Sequence, residues 1–425
     1  MENKIHKMWI IQDPLLLTPY NERLLEHYSR VAYSNLFFGV KDLNIDGWQT
    51  DRGEIFIRYG QPLTVERYRP GQEVIIEEKD VRTISGKKKV PIMRQLISPK
   101  GEIWKYFDKQ FAFDDIYSTG NYRFNKYGRE GNIVSSFSTD TDDYIHYYRN
   151  ESSQEYIPRM EGPVFDVNYQ TYQFKSDERN KTKIYLGYTI RFDSLLAPME
   201  SFSEGYEMGL FFHDLYMHKQ LEKKVYHPMI SRNNKINSVD FDLVPEPGNI
   251  AFEIIRKKDK GTASYHGQFK VNNFSTGELT LSSLILAYKI EEEYTGETCI
   301  QRNEINIQPN PEQSFSKGKN LYLYYEVYNL TKGNDNLTDF EQKVTIQKKE
   351  EDDVLSNILD VVGLGSKGEK ISTTSNYQTF EPDPQIYFQL DLSDYETGEY
   401  LLTLSITDKI NKSTSTTTAS LFLIE

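Results

Sequence analysis

The residues best spaced for chemistry form one string, Gly47-Trp48-Gln49-Thr50-Asp51-Arg52-Gly53, which runs into Ile55–Tyr59 and then Gly60-Gln61-Pro62. Asp51 and Arg52 place a carboxylate beside a guanidinium. That is a ligand-holding or catalytic pair in one reading and a turn-stabilising ion pair in the other. Gly47 and Gly53 permit backbone angles that other residues resist, Thr50 or Asp51 can satisfy free amides, and Trp48 offers a large surface for burial. Asp beside Gly is common in turns for local reasons alone, which favours the ion pair.

Other candidate groups are weaker. His213, His218 and His227 approach a metal constellation, but residues five apart on one strand point to opposite faces, and a zinc site needs convergent ligands. Asp140, Asp142 and Asp143 invite calcium, yet the Gly and closing Glu of an EF-hand loop are missing. Cys299 is the single cysteine and has no His near it in sequence, which rules out an internal disulfide and a multi-thiolate metal site. There is no Gly-x-Ser-x-Gly elbow, phosphate-binding glycine loop or His-Glu-x-x-His. No catalytic residue, metal or cofactor is therefore expected. With 63 acidic residues, carboxylate pairs carry no information.

The elements that must position the string read as α+β over residues 1–160. Pro19–Phe38 carries Leu24, Leu25, Tyr28, Val31, Ala32, Asn35 and Leu36 at the spacing of an amphipathic helix, with Thr18 as its N-cap and Gly39 closing it. Ile55, Ile57 and Tyr59 alternate, which predicts a strand ended by Gly60-Gln61-Pro62. Val74–Met93 predicts a hairpin with its tip at Ser85–Lys88. Glu102–Phe107 and Gln110–Asp114 predict a second, with Trp104 and Tyr106 facing Phe111 and Phe113. Gly120–Pro158 is polar and Tyr-rich, a loop with a short helix near Thr141–Asn150.

Beyond Pro158 the pattern is all-β. Period-two runs at Val164–Phe174, Lys183–Phe192, Glu207–His213, Val239–Val244, Ile250–Arg256, Tyr265–Val271 and Leu279–Ile290 predict an Ig-like or fibronectin-like β-sandwich over 161–292. Residues 293–313 read as a linker, and a second sandwich follows over 314–425. The blocks look like one module used twice, since Ile184–Ile190 matches Leu321–Val327, and Phe241-Asp242-Leu243 with Gly248 and Asp259 parallels Phe388-Gln389-Leu390 with Gly398 and Asp408. The second block is longer by a short helical insertion at 350–363 that carries Leu355, Ile358 and Leu359.

Gly47–Pro62 resembles the signature of the GWxTD domain family. Met8-Trp9 with Asp13-Pro14, Asn21-Glu22, Arg30–Tyr33, Glu102–Tyr106 and Phe111–Phe113 are similar to the segments that flank it, so the resemblance covers about residues 5–125. Gln12 departs from it, standing where the family tends to have Arg. The resemblance implies a bacterial, Bacteroidota-type protein, exported to the periplasm, outer membrane or cell surface, in a family without a known reaction. It makes Gly47, Trp48, Thr50, Asp51, Arg52, Gly53, Tyr59, Gly60 and Pro62 motif residues.

Composition narrows the partners. Fifty Lys and Arg against 63 Asp and Glu give a formal charge of −13, which argues against binding nucleic acid phosphates. The apolar run Met8–Ile11 is too short for a signal-peptide core, and no stretch reaches the roughly 20 apolar residues that span a bilayer. Read literally, that is a soluble, cytoplasmic chain. The 31 Tyr and 23 Phe are mostly sandwich core, with Tyr144, Tyr147 and Tyr148 as candidates for an exposed platform, and the 350–363 stripe as a second contact site. The expectation is a non-enzymatic envelope or surface protein that binds a protein partner. The alternative is a carbohydrate-active protein, either a glycan-binding module or a hydrolase with an acid/base pair.

Overall fold

The computed structural model describes residues 2–68, 73–83, 86–95, 100–124, 146–151, 154–157, 160–191, 198–228, 236–292, 300–349 and 370–425. It is mostly β, with its α-helices near the N-terminus. The chain divides into two compact units, Met1–Arg159 and Met160–Glu425. Among the described residues no helix is long and apolar enough to cross a membrane.

Unit 1 contains α1 (Glu2–Ile11), α2 (Glu22–Phe38) and α3 (Asp51–Tyr59). Its strands are β1 (Thr64–Tyr68), β2 (Glu73–Thr83), β3 (Gly86–Gln95), β4 (Gly101–Lys105), β5 (Gln110–Asp114) and β6 (Arg123–Phe124). They form a β1-β4-β5-β6 sheet and a separate β2–β3 hairpin, in which Gly86, Lys87 and Lys88 belong to the second strand rather than the tip. Trp104 lies opposite Phe111, and its ring meets Phe113 at 5.1 Å. These rings and Tyr106 join Phe38, Ile55, Phe56 and Tyr59 in one core.

Two expectations for the helices fail. The strand expected at Ile55–Tyr59 is the C-terminal half of α3. Thr50 caps this helix by accepting from the Gly53 amide, Asp51 and Glu54 sit at its positive end, Arg58 sits in its last turn, and Gly60 ends it at φ 74°. Ile55 and Tyr59 share a face because they are four apart, so helical spacing explains both buried positions. The second failure concerns the cap of α2, which is Asn21 rather than Thr18. Its Oδ1 accepts from the Leu24 amide at 2.7 Å, while Thr18 donates to Leu15 and Glu22 instead.

The orientation of α2 is unusual. Its buried residues are Arg23, Arg30, Ser34 and Phe38, whereas Leu25, Tyr28 and Leu36 are 55%, 62% and 80% exposed. Polar fastenings hold it this way round. Arg30 donates to the carbonyls of Ile57, Arg58 and Glu155, the first two at the C-terminal end of α3, and Arg23 reaches the Gln154 side chain at 2.7 Å. The expected amphipathic face therefore points to solvent.

Unit 2 begins with β7 (Val167–Lys175), β8 (Thr182–Ile190), β9 (Tyr206–Asp214), β10 (Lys219–His227), β11 (Ile236–Leu243), β12 (Pro247–Arg256) and β13 (Thr262–Lys270). They build two antiparallel sheets, β10-β9-β12-β13 and β11-β8-β7, around one core that includes Leu186, Tyr188, Leu210, Phe212, Phe252 and Ile254. Strand β10 escapes the sequence pattern because Lys, Gln and Glu dominate it and only Leu221 and Val225 pack inward.

The second half comprises β14 (Thr280–Leu281), β15 (Ile285–Glu291), β16 (Ile300–Arg302), β17 (Ile305–Pro309), β18 (Ser314–Ser316), β19 (Leu321–Tyr328), β20 (Thr338–Lys348), β21 (Lys370–Thr379), β22 (Gln385–Leu390), β23 (Gly398–Asp408) and β24 (Thr414–Ile424). β21-β20-β23-β24 follows the order of β10-β9-β12-β13, and β22-β19-β15 that of β11-β8-β7. The matched segments occupy matching places, Ile184–Ile190 lying in β8 and Leu321–Val327 in β19. The boundary differs from expectation. The predicted strand Leu279–Ile290 breaks into β14 and β15, and both pair with β19. The predicted linker 293–313 contains β16 and β17, which extend that same sheet. Tyr172, Phe174 and Tyr185 of the first half pack there against Ile285, Ala287, Ile300, Ile307 and Tyr324, so a second core joins the halves. Cys299 and the 350–363 insertion with Leu355, Ile358 and Leu359 lie outside the described residues.

Candidate functional site

The motif divides into side chains that build the fold and one that does not. A turn at Gly47–Gln49 passes so close to α2 that a Cβ on Gly47 would lie 1.8 Å from the Ser34 carbonyl oxygen. A Cβ on Gly53 would lie as close, 1.8 Å, to the Gly47 carbonyl oxygen. Thr50 ties the two together, donating to the Gly47 carbonyl at 2.7 Å and accepting from the Gly53 amide at 3.0 Å. Thr50→Val removes both bonds while keeping the shape, and should lower the stability of unit 1 by about 1–2 kcal/mol in urea unfolding. A loss below about 0.5 kcal/mol would show that the cap is idle.

Asp51 and Arg52 are both buried and take different partners. Asp51 accepts from the Phe124 amide at 2.8 Å and faces the Arg123 guanidinium at 3.5 Å. Arg52 donates to Glu102 at 3.2 Å and to the Gly120 carbonyl, with its guanidinium 3.9 Å from the Tyr122 ring centroid. Burial works to raise the Glu102 pKa. Bonds from Trp104, Arg52 and Arg67 outweigh it and hold the carboxyl below its ordinary value. Tyr59 donates to the Tyr148 carbonyl, and the Gly60 amide donates to the Phe56 carbonyl at 2.8 Å, ahead of Pro62. These residues fasten helices to sheet, and Asp51 and Arg52 do not form the pair that the sequence suggested.

Trp48 is the exception. Its expected burial does not occur, since the residue is 50% exposed. Its backbone amide donates to Asn35 Oδ1 at 3.0 Å. The indole walls a groove of about 740 Å³ between α2 and α3, lined by His27, Val31 and Asn35 from α2, Gln49 from the turn, and Glu54, Ile57 and Arg58 from α3. His27, Val31 and Asn35 are four apart and so stand in one row. Burial, then Arg23 and Arg30, keeps the His27 pKa below its ordinary value, so the row is uncharged near neutrality. Of the lining side chains Glu54 is the carboxylate, and Arg149 pairs with it. The lining offers an indole face, two aliphatic side chains and a polar rim, which is the chemistry of a binding slot. Leu25, Tyr28 and Leu36, also on α2, are exposed outside the lining of the groove.

The other predicted contacts separate. Tyr148 packs on Tyr59 and Phe111 with centroids at 6.1 and 5.7 Å, so it belongs to the core rather than to a platform. Tyr147 is 47% exposed. Tyr144 and the Asp140–Asp143 cluster lie outside the described residues. Among the described residues no group of His, Cys, Asp and Glu is placed to hold a metal. His213 and His227 sit at opposite ends of the β9–β10 hairpin, and His218 bonds to Asp214 in its turn. Sequence reasoning missed the groove, and the available signal was Arg23, Arg30 and Ser34 at helical spacing opposite the apolar stripe. Comparison with protein-family models and with curated proteins gives no match.

Proposed function

We propose that this chain is a non-enzymatic envelope or surface protein that holds a protein partner on the α2–α3 face of unit 1. One observation carries the reading: α2 turns Leu25, Tyr28 and Leu36 outward beside a groove walled by Trp48. Exposed apolar side chains near a groove rimmed by polar groups mark an interaction site, and Trp is among the residue types enriched at the anchors of such sites. Membership of the GWxTD family and export to the periplasm, outer membrane or cell surface belong to the same proposal and rest on the resemblance of Gly47–Pro62. Unit 2 then serves as a spacer of two fibronectin-like sandwiches. The repeated strand order supports that architecture, and the second core between the halves supports a stiff spacer.

Affinity capture from native envelope, with the full chain and its Trp48→Ala and Leu36→Asp variants, tests this. The expected result is one reproducible partner whose recovery falls at least about tenfold in each variant, as loss of an anchoring side chain implies. No reproducible partner, or equal recovery with both variants, overturns it. A glycan ligand is the second reading, favoured by the exposed indole beside the Asn35, Gln49 and Arg58 side chains. Binding of oligosaccharides that Trp48→Ala abolishes, with no protein captured, would replace the first reading by the second.

A further inference from the structure

We infer that the partner segment filling the α2–α3 groove is an amphipathic helix with an acidic polar face. The inference rests on the partner reading above and adds what that partner presents. Both long walls of the groove are helical. His27, Val31 and Asn35 form one row on α2, and Glu54, Ile57 and Arg58 lie three and four apart on α3. Amides and carbonyls in a helix interior bond within the helix, so these walls offer an extended segment no ladder to join. Such a segment would bury backbone groups of its own without partners. A docked helix arrives with its backbone already bonded and buries side chains alone.

The dimensions agree with a helix. From His27 to Asn35 the row rises about 12 Å along α2, at about 1.5 Å per residue. Anchors at i, i+3 or i+4, and i+7 of a docked helix span about 10.5 Å. Three apolar side chains one turn apart would meet Trp48 at the Asn35 end, Val31 and Ile57 in the middle, and His27 at the far end.

Charge complementarity sets the polar face of that helix. Arg23 and Arg30 stand four residues before and three after His27, and Arg58 lines the groove from α3. Glu26 pairs with Arg30 at 2.9 Å. Even so, burial and then the two arginines hold the His27 pKa below its ordinary value, the mark of a positive field at this end. Toward the other end Glu54 is paired with Arg149, and Asn35, Trp48 and Gln49 are neutral. The groove is therefore a positive place on a chain whose net charge is −13. Carboxylates complement it, and cations on the partner do not.

Fluorescence anisotropy of labelled synthetic peptides, titrated with the full chain, tests this. Each peptide is about 16 residues long, with Leu at the three anchor positions and either Glu or Lys at the polar ones. A third carries Glu and one central Pro, which breaks the helix. The expected result is that the Glu helix binds at least about tenfold more tightly than either of the others, and that Trp48→Ala weakens it by at least about tenfold. Net charge alone would favour the Lys helix, so a preference for Glu reports the local field. Arg58→Gln should narrow the Glu-over-Lys ratio by at least about threefold. Should that variant unfold unit 1, the ratio in the unaltered chain decides the matter. Equal or tighter binding of the Lys helix overturns the inference, as does equal binding of the Pro peptide, binding that Trp48→Ala leaves unchanged, or no binding by any probe. The partner reading itself is decided by the envelope capture, so the two can fail separately.

Discussion

Gly47→Ala is expected to unfold unit 1 far more readily than any surface change, with a loss of about 4 kcal/mol or more. The added methyl would sit 1.8 Å from the Ser34 carbonyl oxygen, 2.3 Å from its carbonyl carbon and 2.6 Å from the Asn35 Cα. All three are backbone atoms inside α2, so no flexible side chain can swing aside. Ordinary overpacking costs about 1–3 kcal/mol, because a core side chain can shift rotamer. Here α2 or the Gly47–Gln49 turn must move as a whole. Moving α2 pulls Arg30 off the carbonyls it satisfies at the end of α3. Moving the turn pulls Thr50 off its cap. Trp9, Trp48 and Trp104 are the three tryptophans of the chain, and all lie in unit 1, so their fluorescence in urea reports on this unit alone. The Gly47→Ala transition should move to much lower urea while the unit 2 transition, followed by circular dichroism, stays in place. Gly267→Ala is the control, since a Cβ there meets nothing within 4 Å, and it should change stability by less than about 0.5 kcal/mol. If Gly47→Ala cost as little as the control, the motif glycine would not be a packing constraint.

The same close approach explains what the sequence did and did not reveal. Long apolar strands were legible: β8, β9, β12 and β19 are buried along most of their length. The segments matched in sequence fall on strands that hold the same places in the two strand orders. The trouble came where two periods explain one pattern. Ile55, Ile57 and Tyr59 alternate as in a strand, yet Ile55 and Tyr59 are also one helical turn apart. The deciding signals were local, namely Thr50 as cap, Asp51 and Glu54 in the first turn and Gly60 at the end. For α2 the period was right, but a period does not say which face is buried. Hydrophobic stripes normally face the core, and here Arg23 and Arg30 do so because they bond to the Gln154 side chain and to backbone carbonyls, while the small Ser34 lets the Gly47 turn approach. That inversion is what hid the candidate site. Trp48 was expected inside for the ordinary reason that indoles bury well, and only the position of α2 leaves it at the groove. The linker failed differently, since β16 and β17 have three and five residues, too few for a period to be seen.

Those two short strands deliver Arg302 to the junction between the halves of unit 2, and disrupting it should produce the second large effect. Arg302 donates to both oxygens of Glu326, at 2.7 and 2.9 Å, and both residues are buried. Tyr324 and Tyr328 each donate to one of the same oxygens at 2.7 Å, and the guanidinium lies 4.9 Å from the Phe174 ring centroid. Burial, then the Glu326 carboxylate, pushes both phenol pKa values up, so the two hydroxyls remain donors. Arg302 also donates to the Lys175 carbonyl, and Tyr328 accepts from the Lys175 amide at 3.0 Å, so the cluster bonds to β7 of the first half. Arg302→Met leaves a buried carboxylate without its cation, and should cost about 3–5 kcal/mol in urea unfolding of unit 2. Arg302→Met/Glu326→Leu removes both charges and should recover at least about 2 kcal/mol of that loss, since desolvating an ion pair is itself expensive. Recovery would be incomplete, because Tyr328 loses its acceptor while Tyr324 keeps Gln385 at 3.1 Å. If the double variant were as unstable as the sum of both single variants, the pair would not be coupled and the junction would rest on its apolar core alone. If Arg302→Met were neutral, the ion pair would contribute nothing to holding the two halves together. The coupled outcome makes the junction a polar lock that fixes one register between the two halves, which apolar contacts alone specify less sharply.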